Sequence, residues 1–258
     1  MKARLEFLHE GKVARVMLAA PKANILDKPM VDELDAIFAQ LESNRDLRAI
    51  VVTADGPHFS FGASVEEHLP DEIRGALSRL GGLLRRVAAA PAPVIAAIRG
   101  QCLGGGFELV LGCDLIIAEE SAQFGVPEIK LGVFPPAAAV LLPVRIGTAG
   151  ASALTLTGRS WNAVEAKEQG LVTRLASDGQ LDATVATWLE EDFLPRSPAA
   201  LRHATRAIRM AVVHALNDDL PKMDRLYLDE LMAEPDAVEG IRAFLEKREP
   251  KWSKRGDA

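Results

Sequence analysis

Two carboxylates and two glycine-containing bends are the residues of this chain whose types and spacing suit chemistry. Glu108 follows Gln101-Cys102-Leu103-Gly104-Gly105-Gly106-Phe107, and Glu128 ends Gln123-Phe124-Gly125-Val126-Pro127. Carboxylates that share a water molecule can take one proton and deliver another, general acid–base work worth about 10²–10⁴ in rate. The triplet Gly104-Gly105-Gly106 bares main-chain N–H groups where a helix begins. Donors there lack intrahelical partners and favour negative charge. Gly62-Ala63, after Phe59-Ser60-Phe61, forms a second bend of small residues at a strand end. N–H groups from two such bends can grip a developing oxyanion, and losing one donor typically costs roughly 2.7–4 kcal/mol. Taken alone, the glycine triplet reads slightly better as a structural turn, with Glu108 complementing a helix dipole. The second bend and the second carboxylate favour a reaction at a polarised carbonyl. The nucleotide patterns Gly-x-x-x-x-Gly-Lys-Ser/Thr and Gly-x-Gly-x-x-Gly followed by an acid are not met.

The elements that must position these groups follow from hydrophobic spacing. Leu5–Leu8 and Val13–Leu18 flank Glu10-Gly11-Lys12 as a hairpin. Asp27 caps a helix whose Met30, Val31, Leu34, Ile37, Phe38 and Leu41 share one face. Arg48–Thr53, Ala92–Ile98 and Asp114–Ala118 read as buried strands, with a helix over Asp71–Val87 weakened by Gly75, Gly81 and Gly82. Gln123–Glu128 reads as an extended corner bounded by Pro127. Beyond Gly132 the pattern is helical: Ser160 caps a helix through Gln169, Pro198 opens a long one to about Leu216, and two more cover Leu220–Met232 and Asp236–Lys247. In an open α/β sheet, strand ends carrying such bends converge where ligands bind.

With 258 residues the chain suffices for one large domain, or one with an appendage. A net charge of −6 excludes a general nucleic-acid or anionic-membrane surface but not a local basic site. Cys102 and Cys113 lie in apolar segments without metal-ligand spacing and read as buried thiols of a reducing compartment. Met1–Glu6 lacks the apolar core of a signal peptide, and no apolar run was expected to reach the ~20 residues of a membrane span. A cytoplasmic protein is expected, without nucleic-acid or membrane partners and without a metal.

Gln101–Asp114, then Ala122–Gly132, resembles the signature of the crotonase (enoyl-CoA hydratase/isomerase) family. The likeness extends to Phe59–Glu67, to Gly158–Val172 and to Phe244–Arg248, so it covers nearly the whole chain in order. It implies an α/β fold: a spiral of ββα repeats over 1–197 carrying an acyl-CoA site, with a helical trimerisation region over 198–258. It also implies a trimer or dimer of trimers, acyl-CoA thioester substrates, and no cofactor beyond the coenzyme A of the substrate. The oxyanion-hole donors would be the N–H groups of Ala63 and Gly105, and the catalytic pair Glu108 and Glu128. Substrate and CoA binding would draw on Lys22, Ala23, Ala63, Ser64, Val65, Glu66, Gly104 and Gly105, with Lys247 helping with phosphate. Both glutamates are present, which favours hydration over the isomerase, decarboxylase or hydrolase members that lack one.

Two departures bear on the acyl group. Val133-Phe134-Pro135-Pro136-Ala137-Ala138-Ala139 replaces the glycine-rich loop of common hydratases, and Ala63-Ser64-Val65-Glu66-Glu67-His68 replaces their Ala-Asp-Ile-Lys. The run Phe59–Pro70 looks most like that of members acting on cyclic dienoyl-CoA thioesters in anaerobic aromatic (benzoyl-CoA) breakdown. The competing expectations are a generic hydratase of fatty-acid β-oxidation, an isomerase or hydrolase of the same fold, and a silent acyl-CoA binder.

Other residues read more plainly. His68 reads as solvated or supporting; His58, His203 and His214 read as surface or packing residues. Arg202, Arg206 and Arg209 read as a solvated or subunit-facing stripe, and Trp161 and Trp188 as core or interface anchors. Ser64 has no His–acid partner pattern and is set aside as a nucleophile.

Overall fold

β-Branched and aliphatic runs build the sheet that everything else covers. The computed structural model describes residues 1–20 and 22–253. Strands β1 (Ala3–Leu8) and β2 (Val13–Leu18) pair antiparallel as the expected hairpin. Helix α1 (Lys28–Leu41) is capped by Asp27, whose carboxylate accepts the Met30 N–H. Strand β3 (Ala49–Ala54), helix α2 (Ile73–Ala89) and strand β4 (Val94–Ile98) follow. Next come β5 (Gln101–Leu103), α3 (Gly104–Leu111), β6 (Leu115–Glu119) and β7 (Gln123–Gly125). Every residue of β3 and β4 is buried, as befits strands covered on both faces. Successive side chains serve opposite layers. Ile50 and Val52 join the core beneath α1 and α2, while Ala49 and Val51 join a second cluster on the other face.

The second half is less helical than its spacing suggests. After α4 (Pro136–Thr155) come β8 (Ser160–Asn162), α5 (Ala163–Glu168), β9 (Arg174–Ala176) and α6 (Leu181–Trp188). The main sheet runs β1-β2-β3-β4-β6-β9, and a small second sheet runs β5-β7-β8. Ser160 is therefore a strand residue opposite Gly125 rather than a cap. Asn162 caps α5 instead, in a reciprocal pair with Glu165. The α4 segment is, among the described residues, apolar enough in length and composition to cross a bilayer, contrary to expectation. It bends at Gly147 (φ 72°) and buries Ala137, Ala138, Leu141 and Leu142 in the main core.

The tail comprises α7 (Pro198–Ile208), α8 (Met210–His214), α9 (Leu220–Arg225) and α10 (Pro235–Leu245). The long helix expected from Pro198 breaks at Arg209, which is 3% exposed and not part of a surface stripe. Its guanidinium grips both Asp114 oxygens at 2.8 and 2.6 Å and donates to the carbonyls of Ala88, Ala90 and Ala92. One side chain thus ties the tail to the segments that lead into the interior strands β4 and β6.

Candidate active site

The glycine triplet is explained by what each glycine touches. Gly104 opens α3 at φ 49°, a left-handed conformation that side-chain-bearing residues resist. A Cβ there would lie 2.7 Å from Glu128 Oε1. On Gly105 it would lie 3.2 Å from the Ala63 nitrogen, and on Gly106 2.5 Å from the Ser60 Cβ. The triplet therefore lets α3 start in contact with both the Ser60–Ala63 bend and the Glu128 carboxyl. Hydrogen bonds lace that bend to β5: Ser60 N–H donates to Gln101 O at 2.9 Å, and Leu103 N–H to Ser60 O at 3.0 Å. Ser60 Oγ holds the turn from inside, donating to Asn24 O (2.7 Å) and accepting from Gly62 N–H (3.1 Å). Leu26 N–H donates to Gly62 O at 2.9 Å and fixes the other side. The N–H groups of Ala63 and Gly105 are thereby neighbours, the latter in the first helical turn, where it has no intrahelical acceptor.

Both glutamates reach the same place. Glu108, 5% exposed, projects from the second turn of α3; Glu128, 9% exposed, sits on a 3₁₀ turn, Pro127–Leu131, rather than on an extended corner. A narrow cavity of about 30 Å³ is bordered by Ala63, Gly105, Glu108 and Glu128. At about 10–15 Å³ per water, it has room for the one molecule a hydration needs. Its apolar wall includes Leu26, Val31, Ile73, Leu77 and Phe134. This space opens past Ala63, His68 and Glu128 into an outer cleft of about 330 Å³, within the range of small-molecule sites. Val65, Gly104 and residues of α10 line that cleft, with Lys130 and Arg248 as its cations.

The electrostatics separate the two acids. Burial raises the carboxyl pKa of Glu108, but the main-chain N–H groups of Ala138, at 2.9 Å from Oε1, and of Ala137 favour its ionised form. Burial raises Glu128 too, and the Glu108 charge pushes it further up. Glu128 Oε2 is buried with no hydrogen-bond partner among the described residues. Both acids are thus pushed toward the protonated form by burial, Glu108 with main-chain donors opposing that push and Glu128 with the Glu108 charge adding to it.

Of the remaining expected residues, Ala23 gives its carbonyl to Phe61 N–H at 2.9 Å, behind the bend. Ser64 Oγ donates to Glu66 at 2.7 Å. Lys22 (φ 105°) and Lys247 (φ 54°) are exposed and border neither space; the neighbour of Lys247, Arg248, does.

Further residues complete the site, of which Arg79 and Tyr227 do not stand out in the sequence. His68 stands where the two spaces join; its Nδ1 donates to Ser64 O at 2.8 Å, and burial lowers its pKa, so a neutral imidazole leaves Nε2 as an acceptor. A Glu67–Arg79 ion pair, 3.1 Å apart, forms part of the inner wall. Tyr227, 1% exposed, packs its ring 5.4 Å from Phe134, and its hydroxyl has no partner among the described residues. The tail thus contributes to the site.

The comparisons agree with this architecture. The family model described as enoyl-CoA hydratase/isomerase matches residues 9–255. A protein of Thauera aromatica, cyclohexa-1,5-dienecarbonyl-CoA hydratase, is 45% identical over 246 residues, 95% of each chain. A probable enoyl-CoA hydratase of Bacillus subtilis is 35% identical over 93% of this chain and 95% of its own. A crystal structure of an enoyl-CoA hydratase from Mycobacterium avium subsp. paratuberculosis superposes with a TM-score of 0.86 at 25% identity, covering 98% of this chain and 99% of that one. With the family model matching residues 9–255 and a relative 45% identical over 95% of both chains, this protein belongs to the enoyl-CoA hydratase/isomerase (crotonase) family.

Proposed function

We propose that the protein is a hydro-lyase that adds water to a cyclic dienoyl-CoA thioester, cyclohexa-1,5-diene-1-carbonyl-CoA, in anaerobic breakdown of aromatic acids. The observation that carries this reading is the 45% identity, over 95% of both chains, to a relative named for that substrate. The relative named only as a probable enoyl-CoA hydratase stands at 35%.

The chemistry follows from the site. The thioester oxygen sits between the N–H groups of Ala63 and Gly105, which stabilise the charge that develops there. Glu108 takes a proton from water as its oxygen bonds to the ring carbon β to the carbonyl. The electron pair of that double bond moves into a dienolate that extends over the second double bond. Glu128 delivers its proton at the far ring carbon, across the ring from the new hydroxyl. One water is added overall, in 1,4 fashion, and a hydroxycyclohexenecarbonyl-CoA leaves. The apolar wall of Leu26, Val31, Ile73 and Leu77 suits a hydrocarbon ring.

The CoA portion is assigned to the outer cleft, against Ala63, Val65 and Gly104, with Lys22, Ala23, Ser64 and Glu66 flanking it in sequence. Lys130 and Arg248 line the cleft and supply positive charge for phosphate; Lys247, outside the lining but exposed beside Arg248, is the further cation in reach of its mouth. Exposed Ile208, Met210 and Val213 on the tail support burial between subunits, in a trimer or dimer of trimers in the cytoplasm. The test is hydration of crotonyl-CoA, cyclohexenecarbonyl-CoA and cyclohexadienecarbonyl-CoA in parallel. The diene thioester is expected to have the highest kcat/KM; a preference for crotonyl-CoA would replace this reading with that of a straight-chain hydratase.

A further inference from the structure

Three residues, alone among those described, border both the inner cavity and the outer cleft: Ala63, Glu128 and His68. An acyl-CoA with its acyl group inside and its CoA portion outside passes between them. Ala63 offers an N–H to the thioester oxygen, and Glu128 a carboxyl to the reacting carbons. His68 is the remaining wall of this neck, and the reaction as written leaves it idle. The chain nonetheless holds it firmly. It ends a 3₁₀ turn, Glu66–His68, that joins the Ala63 bend to α2, and its own main-chain N–H donates to Val65 O at 3.1 Å. Its Nδ1 lies 2.8 Å from Ser64 O. A carbonyl only accepts, so Nδ1 carries the proton. Burial favours the neutral ring.

A conjugated thioester is flat, and its parts divide among these walls. Its oxygen faces the N–H groups of Ala63 and Gly105, and the face that takes water turns to Glu108 and Glu128. The side that does not react is left for His68. What that side presents depends on the acyl group. In a straight-chain enoyl thioester the α carbon carries one carbon besides the carbonyl. In a ring thioester it carries two, so a second ring carbon lies beside the carbonyl at the neck. We propose that His68 is a specificity-determining residue: its imidazole is the wall against which a flat, α-branched acyl ring packs, a contact that a straight chain leaves unmade. A neutral imidazole suits this role because no charge is set against hydrocarbon. Its bond to Ser64 O fixes the ring beforehand, so little side-chain freedom is lost on binding.

This inference deepens the proposed function and rests on its placement of the acyl and CoA portions; two variants separate the wall from the hydrogen bond. Asparagine keeps a donor near the position of Nδ1, and with it the bond to Ser64 O, but lacks the outer part of the ring. Phenylalanine keeps a flat wall and lacks the bond. In His68→Asn, kcat/KM for cyclohexadienecarbonyl-CoA relative to crotonyl-CoA should fall at least about tenfold, the lower end of what a hydrophobic contact discriminates. In His68→Phe that ratio should stay within about threefold of the parent, less than one such contact is worth. The same split is expected in the dissociation constants of benzoyl-CoA and butyryl-CoA, a flat ring and a straight chain with no alkene to hydrate, measured by calorimetry. Binding needs no turnover, so a parent that prefers crotonyl-CoA would overturn the diene reading and leave the binding split to judge His68. An unchanged ratio in folded His68→Asn, equal losses for ring and chain, or a ratio lost in folded His68→Phe as well would overturn the role given to His68. Should His68→Phe fail to fold, His68→Asn decides alone.

Discussion

Gly104→Ala asks whether the glycine triplet exists to place Glu128. The new Cβ would stand 2.7 Å from Glu128 Oε1, and ordinary contact begins near 3.4 Å, so the carboxyl must move by about 0.7 Å (3.4 − 2.7). The atom in the way is the end of a side chain, so the fold can absorb the change by displacing the acid itself. A misplacement of about 1 Å at a reacting group costs about 10² in rate. The φ of 49° adds roughly 1–2 kcal/mol of strain for a residue with a Cβ. The expected result is a kcat lower by about two orders of magnitude, a KM within about threefold, and a modest loss in Tm. Initial rates of thioester hydration give the first two, and a thermal melt the third. A folded variant with kcat within threefold of the parent would refute the idea that Gly104 sets the position of Glu128.

Gly105→Pro removes one of the two neighbouring donors while proline remains tolerable in a first helical turn; kcat should fall about 10²–10³ with the fold intact by circular dichroism. Arg209→Ala leaves the Asp114 carboxylate, 5% exposed, without its guanidinium partner; urea denaturation should show a loss of roughly 3–5 kcal/mol, and a loss below about 1 kcal/mol would contradict the structural role given to the pair. Glu128→Gln should change stability in a pH-dependent way. The Glu128 pKa is raised in the folded protein, so the native state favours the protonated acid, and that contribution is lost as pH rises from the ordinary glutamate range through the raised value. The neutral amide escapes this loss, so the Tm of the variant relative to the parent should be higher at pH 8.5 than at pH 5; a constant difference would contradict the raised pKa.

The parts of the site that were legible in the sequence share a cause. Gly104, Glu108 and Glu128 belong to short segments whose local spacing holds them together, and Asp27 caps its helix within three residues. The parts that were not legible depend on distant partners. Arg209 looks like a surface cation because its acceptors, Asp114 and the carbonyls of Ala88, Ala90 and Ala92, lie far back in the chain. Strands β8 and β9 have three residues each, too short for any periodicity to show, and they exist because β7 and β6 offer them edges. Tyr227 escaped notice for another reason. Single π turns at Ala215–Asp219 and Leu226–Glu230 shift the helical phase, so spacing by 3.6 residues misassigns the faces of the tail.

The central claim is that Glu108 and Glu128 together add water across a cyclic diene held by two main-chain donors. The most direct measurement is turnover of cyclohexa-1,5-diene-1-carbonyl-CoA in ¹⁸O-labelled heavy water by the parent, Glu108→Gln and Glu128→Gln, with the product read by mass spectrometry and NMR. The parent should yield a hydroxycyclohexenecarbonyl-CoA with ¹⁸O in its hydroxyl and one deuterium at the ring carbon across from it. Each variant should fall by at least about two orders of magnitude, the lower end of general acid–base effects. A parent product with shifted double bonds and no ¹⁸O, or either variant working near the parent rate, would contradict the claim.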